Sequence, residues 1–171
     1  MIEIAVVAPR PARLRKLIET GLRLNGRAEL CRISESDWRR GFDPERGVLA
    51  VADVPLPVRR LILGSGVLPV IASDCRRARR ALRGSANPAV CCGMSPTDTV
   101  TASSLSPDCA LLAVQRELIT AEGERVEPRE LLVRLGGVDI YNALLVSAVL
   151  LLCGCPPADG LVLSAEGDAG A

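Results

Sequence analysis

The chain has 171 residues, 49% hydrophobic and only 2% aromatic: enough apolar mass for one domain with a Leu/Val/Ile/Ala core, too few rings for stacking platforms that hold single-stranded nucleic acid. It has no histidine and one lysine, Lys16, which excludes histidine triads, histidine-ligated metals, imidazole acid–base chemistry and any mechanism needing two lysines. The formal net charge of +1 is unevenly divided, at +8 over residues 1–90 and −7 over residues 91–171, a polarity suited to an anionic ligand on the basic half or to head-to-tail association of two copies. A genome-wide preference for arginine over lysine is the simpler account of the same composition.

Residues 2–8 form a continuous apolar run, as expected of a strand buried on both faces. Pro9 and Pro11 bracket a turn, and Leu14, Leu17, Ile18, Gly21 and Leu22 recur at helical spacing until Asn25-Gly26 closes the helix. A short strand is expected over 28–33, then a loop or single helical turn around Trp38. Residues 48–54 read as a second buried strand, 55–63 as a short helix ending at Gly64-Ser65-Gly66, and 67–72 as a third strand. A basic helix over 74–83 leads to a fourth core strand at 89–92. Alternating strands and helices imply a parallel sheet with right-handed crossovers.

After Gly93 the rhythm changes. Segments 99–103, 110–119 and 130–135, separated by turns at Ser106-Pro107-Asp108 and Glu122-Gly123-Glu124, read as a small antiparallel meander. Residues 140–153 form a long apolar helix, too short and too polar at Tyr141-Asn142 to span a bilayer. Pro156-Pro157 is expected to end it, and 167–171 to be a frayed tail. The fold expected is therefore α/β and three-layered. Residues 1–171 form one domain, with a parallel core from 1–92 plus the helix 140–153 and an antiparallel subdomain over 99–135.

Seven cysteines are an odd number, and Cys91, Cys92, Cys109, Cys153 and Cys155 have apolar flanks. The segment 1–8 is short and carries Glu3 where a secretory leader needs positive charge. Reduced, mostly buried thiols in a cytoplasmic protein are the economical reading. Cys153-Gly154-Cys155 is not a CxxC, and the vicinal pair Cys91-Cys92 lacks a second half, so no metal site is expected.

Three segments then meet a known family. Gly136-Gly137-Val138-Asp139-Ile140-Tyr141-Asn142-Ala143-Leu144, running on to Gly154-Cys155-Pro156-Pro157, resembles the Mur ligase pattern in which Gly, His-Asn and a second Asn open a long Ala/Leu helix. Val70-Ile71-Ala72-Ser73-Asp74, and Cys92-Gly93-Met94-Ser95-Pro96 followed by Val100-Thr101-Ala102-Ser103, are similar to that family's strand end and its entry into a small antiparallel sheet. Ile4-Ala5-Val6-Val7-Ala8-Pro9-Arg10-Pro11 stands where the family has a strand and a P-loop. The resemblance covers roughly half the chain and implies the family's central ATP-binding fold.

It does not imply the activity. A phosphate cradle needs glycines whose N–H groups converge on oxygens, a lysine and a hydroxyl for magnesium. Ala8-Pro9-Arg10-Pro11-Ala12-Arg13 offers none of these. The family's carbamylated lysine and its histidines have no counterpart, and of the helix-opening motif only Asn142 matches. The chain is also short for the family's UDP-sugar and amino-acid domains. A non-catalytic, Mur-ligase-like pseudoenzyme is expected, with a binding or regulatory role tied by analogy to peptidoglycan synthesis. No catalytic residue and no cofactor are expected.

Arg10, Arg13, Asp74 and Asn142 are vestigial ligand candidates. The partner would be a small anion or another protein, with homo-oligomers allowed, and neither nucleic acid nor membrane. The alternative is a small enzyme built on a cysteine nucleophile or an arginine-lined anion site. Each candidate also has a structural account. Ser73-Asp74 would cap the basic helix, Asp139 would cap the apolar one, Asn142 would satisfy local backbone, and Arg76-Arg77-Ala78-Arg79-Arg80 would be a solvated face.

Overall fold

The computed structural model describes residues 1–34, 38–53, 60–156 and 160–165. In chain order the first elements are β1 (Ile2–Val7), α1 (Pro11–Leu24), a 3-10 turn at Ala28–Leu30, β2 (Cys31–Ile33), β3 (Gly47–Val51), β4 (Val67–Ala72), α2 (Arg76–Ala81) and β5 (Val90–Gly93). There follow β6 (Val100–Leu105), β7 (Cys109–Val114), β8 (Leu118–Ile119), β9 (Arg125–Val126), β10 (Arg129–Arg134), α3 (Ile140–Leu152) and β11 (Leu161–Val162).

Nine strands form one sheet in the order β11-β10-β7-β6-β5-β4-β3-β1-β2. Only β7 runs against the others, pairing antiparallel with β6 and β10. The run in β1 that reads as buried on both faces is so, and its alternation divides the core. Ile2, Ile4 and Val6 face the cluster under α1 and α3, while Ala5 and Val7 face the smaller cluster under α2. Helices on both faces make three layers. From β1 the chain goes through α1 to the edge strand β2, then returns past β1 to β3 and onward. The direction of winding thus reverses between β1 and β3.

The expected α/β class holds: a large, mostly parallel sheet and a small antiparallel one. The extent of the small sheet differs. Over 99–135 the long strands β6, β7 and β10 join the main sheet, and the separate sheet is only the β8–β9 hairpin. The link 94–99 is too short for a crossover helix, so β5 presents a free edge that β6 occupies, with Cys92 opposite Val100 and Gly93 opposite Thr101. The Thr99 N–H donating to the Cys91 carbonyl starts this pairing. Because β6 overlaps only the last two residues of β5, it projects beyond the C-terminal edge of the parallel strands by about four residues, roughly 13 Å.

Other differences are local. Residues 28–30 form a 3-10 turn before the short β2. The helix expected over 55–63 lies partly outside the described residues. Its described end is extended, with Leu63 bridged to Phe42 and the Phe42 N–H donating to the Ile62 carbonyl. The basic helix is shorter than 74–83 and is capped by Cys75, whose sulfur accepts from the Ala78 N–H at 3.4 Å. Ser73-Asp74 is not the cap, because the Ser73 hydroxyl is engaged elsewhere. The long helix stops at Gly154, at φ +74, where the Gly154 N–H donates to Leu151 and the Cys155 N–H to Leu150. Pro157 and the tail 167–171 lie outside the described residues.

Every residue of α3 from Ala143 to Leu152 is buried. It is covered by the sheet, by α1 and by the β8–β9 hairpin, where the Ala121 N–H donates to the Leu152 carbonyl. No helix among the described residues is long and apolar enough to cross a membrane. α1 fits closely against α3, since a Cβ on Gly21 would stand 3.0 Å from Leu150 Cδ1. Two substitutions within α3 are expected to move stability in opposite directions. Leu150→Ala empties part of a fully buried site and should cost about 2–5 kcal/mol. The Ser147 hydroxyl is buried without a hydrogen-bond partner among the described residues, so Ser147→Ala should raise stability by about 1 kcal/mol. Urea unfolding of both variants checks the pair.

Candidate functional site

In open α/β sheets ligands bind outside the carboxyl ends of the strands, where the winding reverses. Here that place is the end of β1 and β3, joined by the Ala52 N–H donating to the Val7 carbonyl at 3.0 Å. The connection from β1 to α1 is three residues, Ala8-Pro9-Arg10, with Pro11 opening the helix. Arg10 stands at the N-cap position and makes no side-chain capping bond. Two of the four residues across this turn have no N–H, so no series of backbone donors converges there. Arg10 and Arg13 are both exposed, and neither forms an ion pair among the described residues.

The neighbouring strand ends carry more chemistry. A crevice of about 410 Å³ is lined by Ala52, Asp53, Asp74, Cys75, Arg76 and Arg77. The Cys75 thiol donates to Asp53 Oδ1 at 3.2 Å, and Arg77 Nη1 lies 3.9 Å from Asp53 Oδ2. Arg76 also lines a second groove of about 490 Å³ with Arg79, Arg80 and Arg83, residues that share one face of α2 and its continuation. All four of these arginines are exposed, and none is in an ion pair among the described residues. A row of exposed arginines therefore runs along α2 from a crevice whose lining also holds Asp53 and Asp74.

Of the four sequence candidates, Asp74 lies in the crevice and Arg10 and Arg13 follow the adjoining end of β1. Asn142 is committed elsewhere. Its N–H donates to Asp139 Oδ1 at 3.0 Å and its amide nitrogen to Asp139 Oδ2, so Asp139 caps α3 and Asn142 reinforces the cap. The structure brings two of the motif segments together in a different way. Ser73 Oγ donates to Asp98 Oδ2 at 3.0 Å, and the Ser95 N–H donates to the same oxygen at 3.0 Å. Asp98 is 5% exposed, and this junction fixes the loop carrying the chain from β5 to β6.

Sequence reasoning missed Asp53, Cys75 and Asp98. Asp53 fell inside a strand drawn three residues too long. Cys75 was counted only among seven mostly buried, reduced thiols, and Asp98 lies between the segments 92–96 and 100–103 and drew no reading. The vicinal pair is inert by comparison. Burial pushes the Cys92 thiol well up, and burial and then Asp98 push up Cys91. Both are neutral thiols of a core strand.

A larger cleft, about 920 Å³, is at the other edge of the sheet, between Arg39, Arg60, Ser65 and Asn87. Its polar groups serve the backbone. Asn87 Nδ2 donates to the carbonyls of Gly64 and Val67, each at 2.8 Å, and Arg60 Nη2 to that of Gly84 at 3.2 Å. Size alone does not make it a site.

The junction depends on a missing side chain. A Cβ on Gly93 would lie 2.0 Å from Ser73 Oγ and 2.5 Å from Asp98 Oδ2. Gly93→Ala is expected to break the Ser73–Asp98 bond and strand a buried carboxylate, costing about 1–3 kcal/mol in urea unfolding. Asp98→Asn, which keeps an acceptor, should cost less. No protein-family model matches this sequence, and no curated protein matches it.

Proposed function

We propose that this chain is a non-catalytic, Mur-ligase-like binding protein, a pseudoenzyme that holds a small anionic ligand at the C-terminal edge of its sheet. The observation carrying the reading is the conjunction at that edge. The connection at the winding reversal is a three-residue, two-proline turn instead of a phosphate cradle, while exposed arginines 76, 77, 79, 80 and 83 line the adjoining crevice and groove. Guanidinium groups recognise carboxylate and phosphate oxygens in a planar, two-pronged fashion, and five of them on one short stretch set up a strongly attractive local field. Missing histidine, the single lysine and the proline turn together argue against an ATP-dependent ligase. A connection with peptidoglycan synthesis rests on the sequence resemblance.

Isothermal titration is expected to give ATP a dissociation constant no tighter than millimolar, about −4 kcal/mol, with no tightening by magnesium. Arg13→Lys should not rescue it, because the backbone path is what is missing. A micromolar value for Mg-ATP would overturn the reading. In thermal-shift screening against nucleotides, UDP-sugars and muropeptides, any ligand that stabilises the protein is expected to lose its effect in the Arg79→Gln/Arg80→Gln variant and in high salt.

One observation favours a second reading, an enzyme with a cysteine nucleophile: the Cys75–Asp53 hydrogen bond inside the crevice. With no imidazole present, Asp53 would have to accept the thiol proton. Iodoacetamide labelling of Cys75 separates the two. Asp53→Asn should accelerate labelling if Asp53 merely places negative charge beside the sulfur. It should slow labelling if Asp53 is the base.

A further inference from the structure

The groove along α2 is lined by arginine alone among the described residues: Arg76, Arg79, Arg80 and Arg83. Their spacing is i, i+3, i+4 and i+7, which puts them on one face of α2 and of the turn that prolongs it. In that turn the Leu82 N–H donates to the Ala78 carbonyl at 3.1 Å and the Arg83 N–H to the Arg80 carbonyl at 3.2 Å. The opposite face is anchored, with Ala78 and Ala81 buried against the sheet. Arg77 stands off the row, beside Asp53. At the far end Arg60 Nη2 donates to the Gly84 carbonyl at 3.2 Å, which carries positive charge one residue past Arg83. Along the row the pairs 76–79, 76–80, 79–83 and 80–83 each set like charge against like charge.

We propose that this row binds a linear oligophosphate, a chain of phosphoryl groups longer than a triphosphate. The assignment rests on the anion-binding reading above and names the ligand of that same edge. Neighbouring positions on such a face have Cβ atoms about 5–6 Å apart, so two guanidiniums can grip one tetrahedral phosphoryl group from different sides. A planar carboxylate presents two oxygens along one edge and satisfies a single fork. The lining residues supply no side-chain acceptor for a sugar hydroxyl or for the amino group of a base. Only the charged oxygens of a ligand are therefore read.

Length follows from the helix. From Arg76 to Arg83 the row extends about 10 Å along the axis. A triphosphate covers part of it, whereas a longer chain engages all four guanidiniums at once and gains from each added contact without a second association step. ATP brings a short run of phosphates and a nucleoside that finds no acceptor, in keeping with the weak binding expected of it. A phosphate chain is thin enough to lie in a groove of about 490 Å³, and a rigid nucleic-acid duplex is not.

Isothermal titration of the full chain with orthophosphate, pyrophosphate, tripolyphosphate and a longer linear polyphosphate, at constant ionic strength, tests this. Affinity is expected to rise with each lengthening, the longest chain binding at least about tenfold tighter than tripolyphosphate. The Arg76→Gln/Arg83→Gln variant, which trims both ends of the row, should weaken the longest chain at least about tenfold and pyrophosphate less than about threefold. Both side chains are exposed, so the unliganded variant should unfold at no lower temperature than the parent. Affinity that is flat with chain length, a long chain insensitive to the end substitutions, or equal competition by duplex DNA at matched phosphate would overturn the proposal. If polyphosphate fails while another anion stabilises the protein through Arg79 and Arg80, the oligophosphate assignment falls and the binding edge stands. If no anion binds, both fall.

Discussion

The burial of α3 on every side is the constraint on which the architecture depends. Its residues from Ala143 to Leu152 have no solvent face, so the sheet, α1 and the β8–β9 hairpin must all close over it. A helix apolar all round cannot lie on a surface. It therefore draws strands from β3 to β6 beneath it and α1 beside it, where Gly21 allows the two helices to approach. The α2 side of the sheet is thinner, its cluster built from fewer and smaller residues such as Ala5, Ala78 and Ala81. The arginines of α2 stand on this thin layer. Only Ala78 and Ala81 of that helix are buried, which leaves every guanidinium outside.

The short link between β5 and β6 has a comparable reach. A chain that turns in six residues cannot cross over to the start of the next parallel strand, so β6 begins level with the end of β5. The antiparallel strands consequently stand above the edge where the crevice opens. The Ser73–Asp98–Ser95 junction and the close approach over Gly93 secure this step. The sheet is continuous, but its two parts are staggered, and the stagger gives the C-terminal edge a wall.

The seven free cysteines occupy different electrostatic settings. Cys91 and Cys92 are held neutral by burial within a core strand. Cys75 caps a helix and donates a hydrogen bond to Asp53, and Cys31 is half-buried where the edge strand β2 begins. Composition treats these side chains as one class of small apolar residue. Their chemistry is set by which backbone amides, carboxylates and arginines the fold brings within a few ångströms, which spacing along the chain does not encode.

Periodicity and punctuation were sufficient for much of the architecture. The apolar runs of β1 and β4, the helical spacing of α1 and the long apolar stretch of α3 each encode an element, because period and length follow from covalent geometry. The proline turn and the missing histidines likewise belong to the sequence, since they remove donors and bases whatever the fold. Tertiary structure alone decided where the meander went, because the free edge of β5 exists only once the parallel strands have assembled. It also decided that Cys75 rather than Ser73-Asp74 caps α2, since Ser73 is taken by Asp98, twenty-five residues away in sequence. The meeting of Arg27 with the Cys153 carbonyl is of the same kind: contacts across more than a hundred residues arise from packing helices onto a sheet, and no local pattern records them.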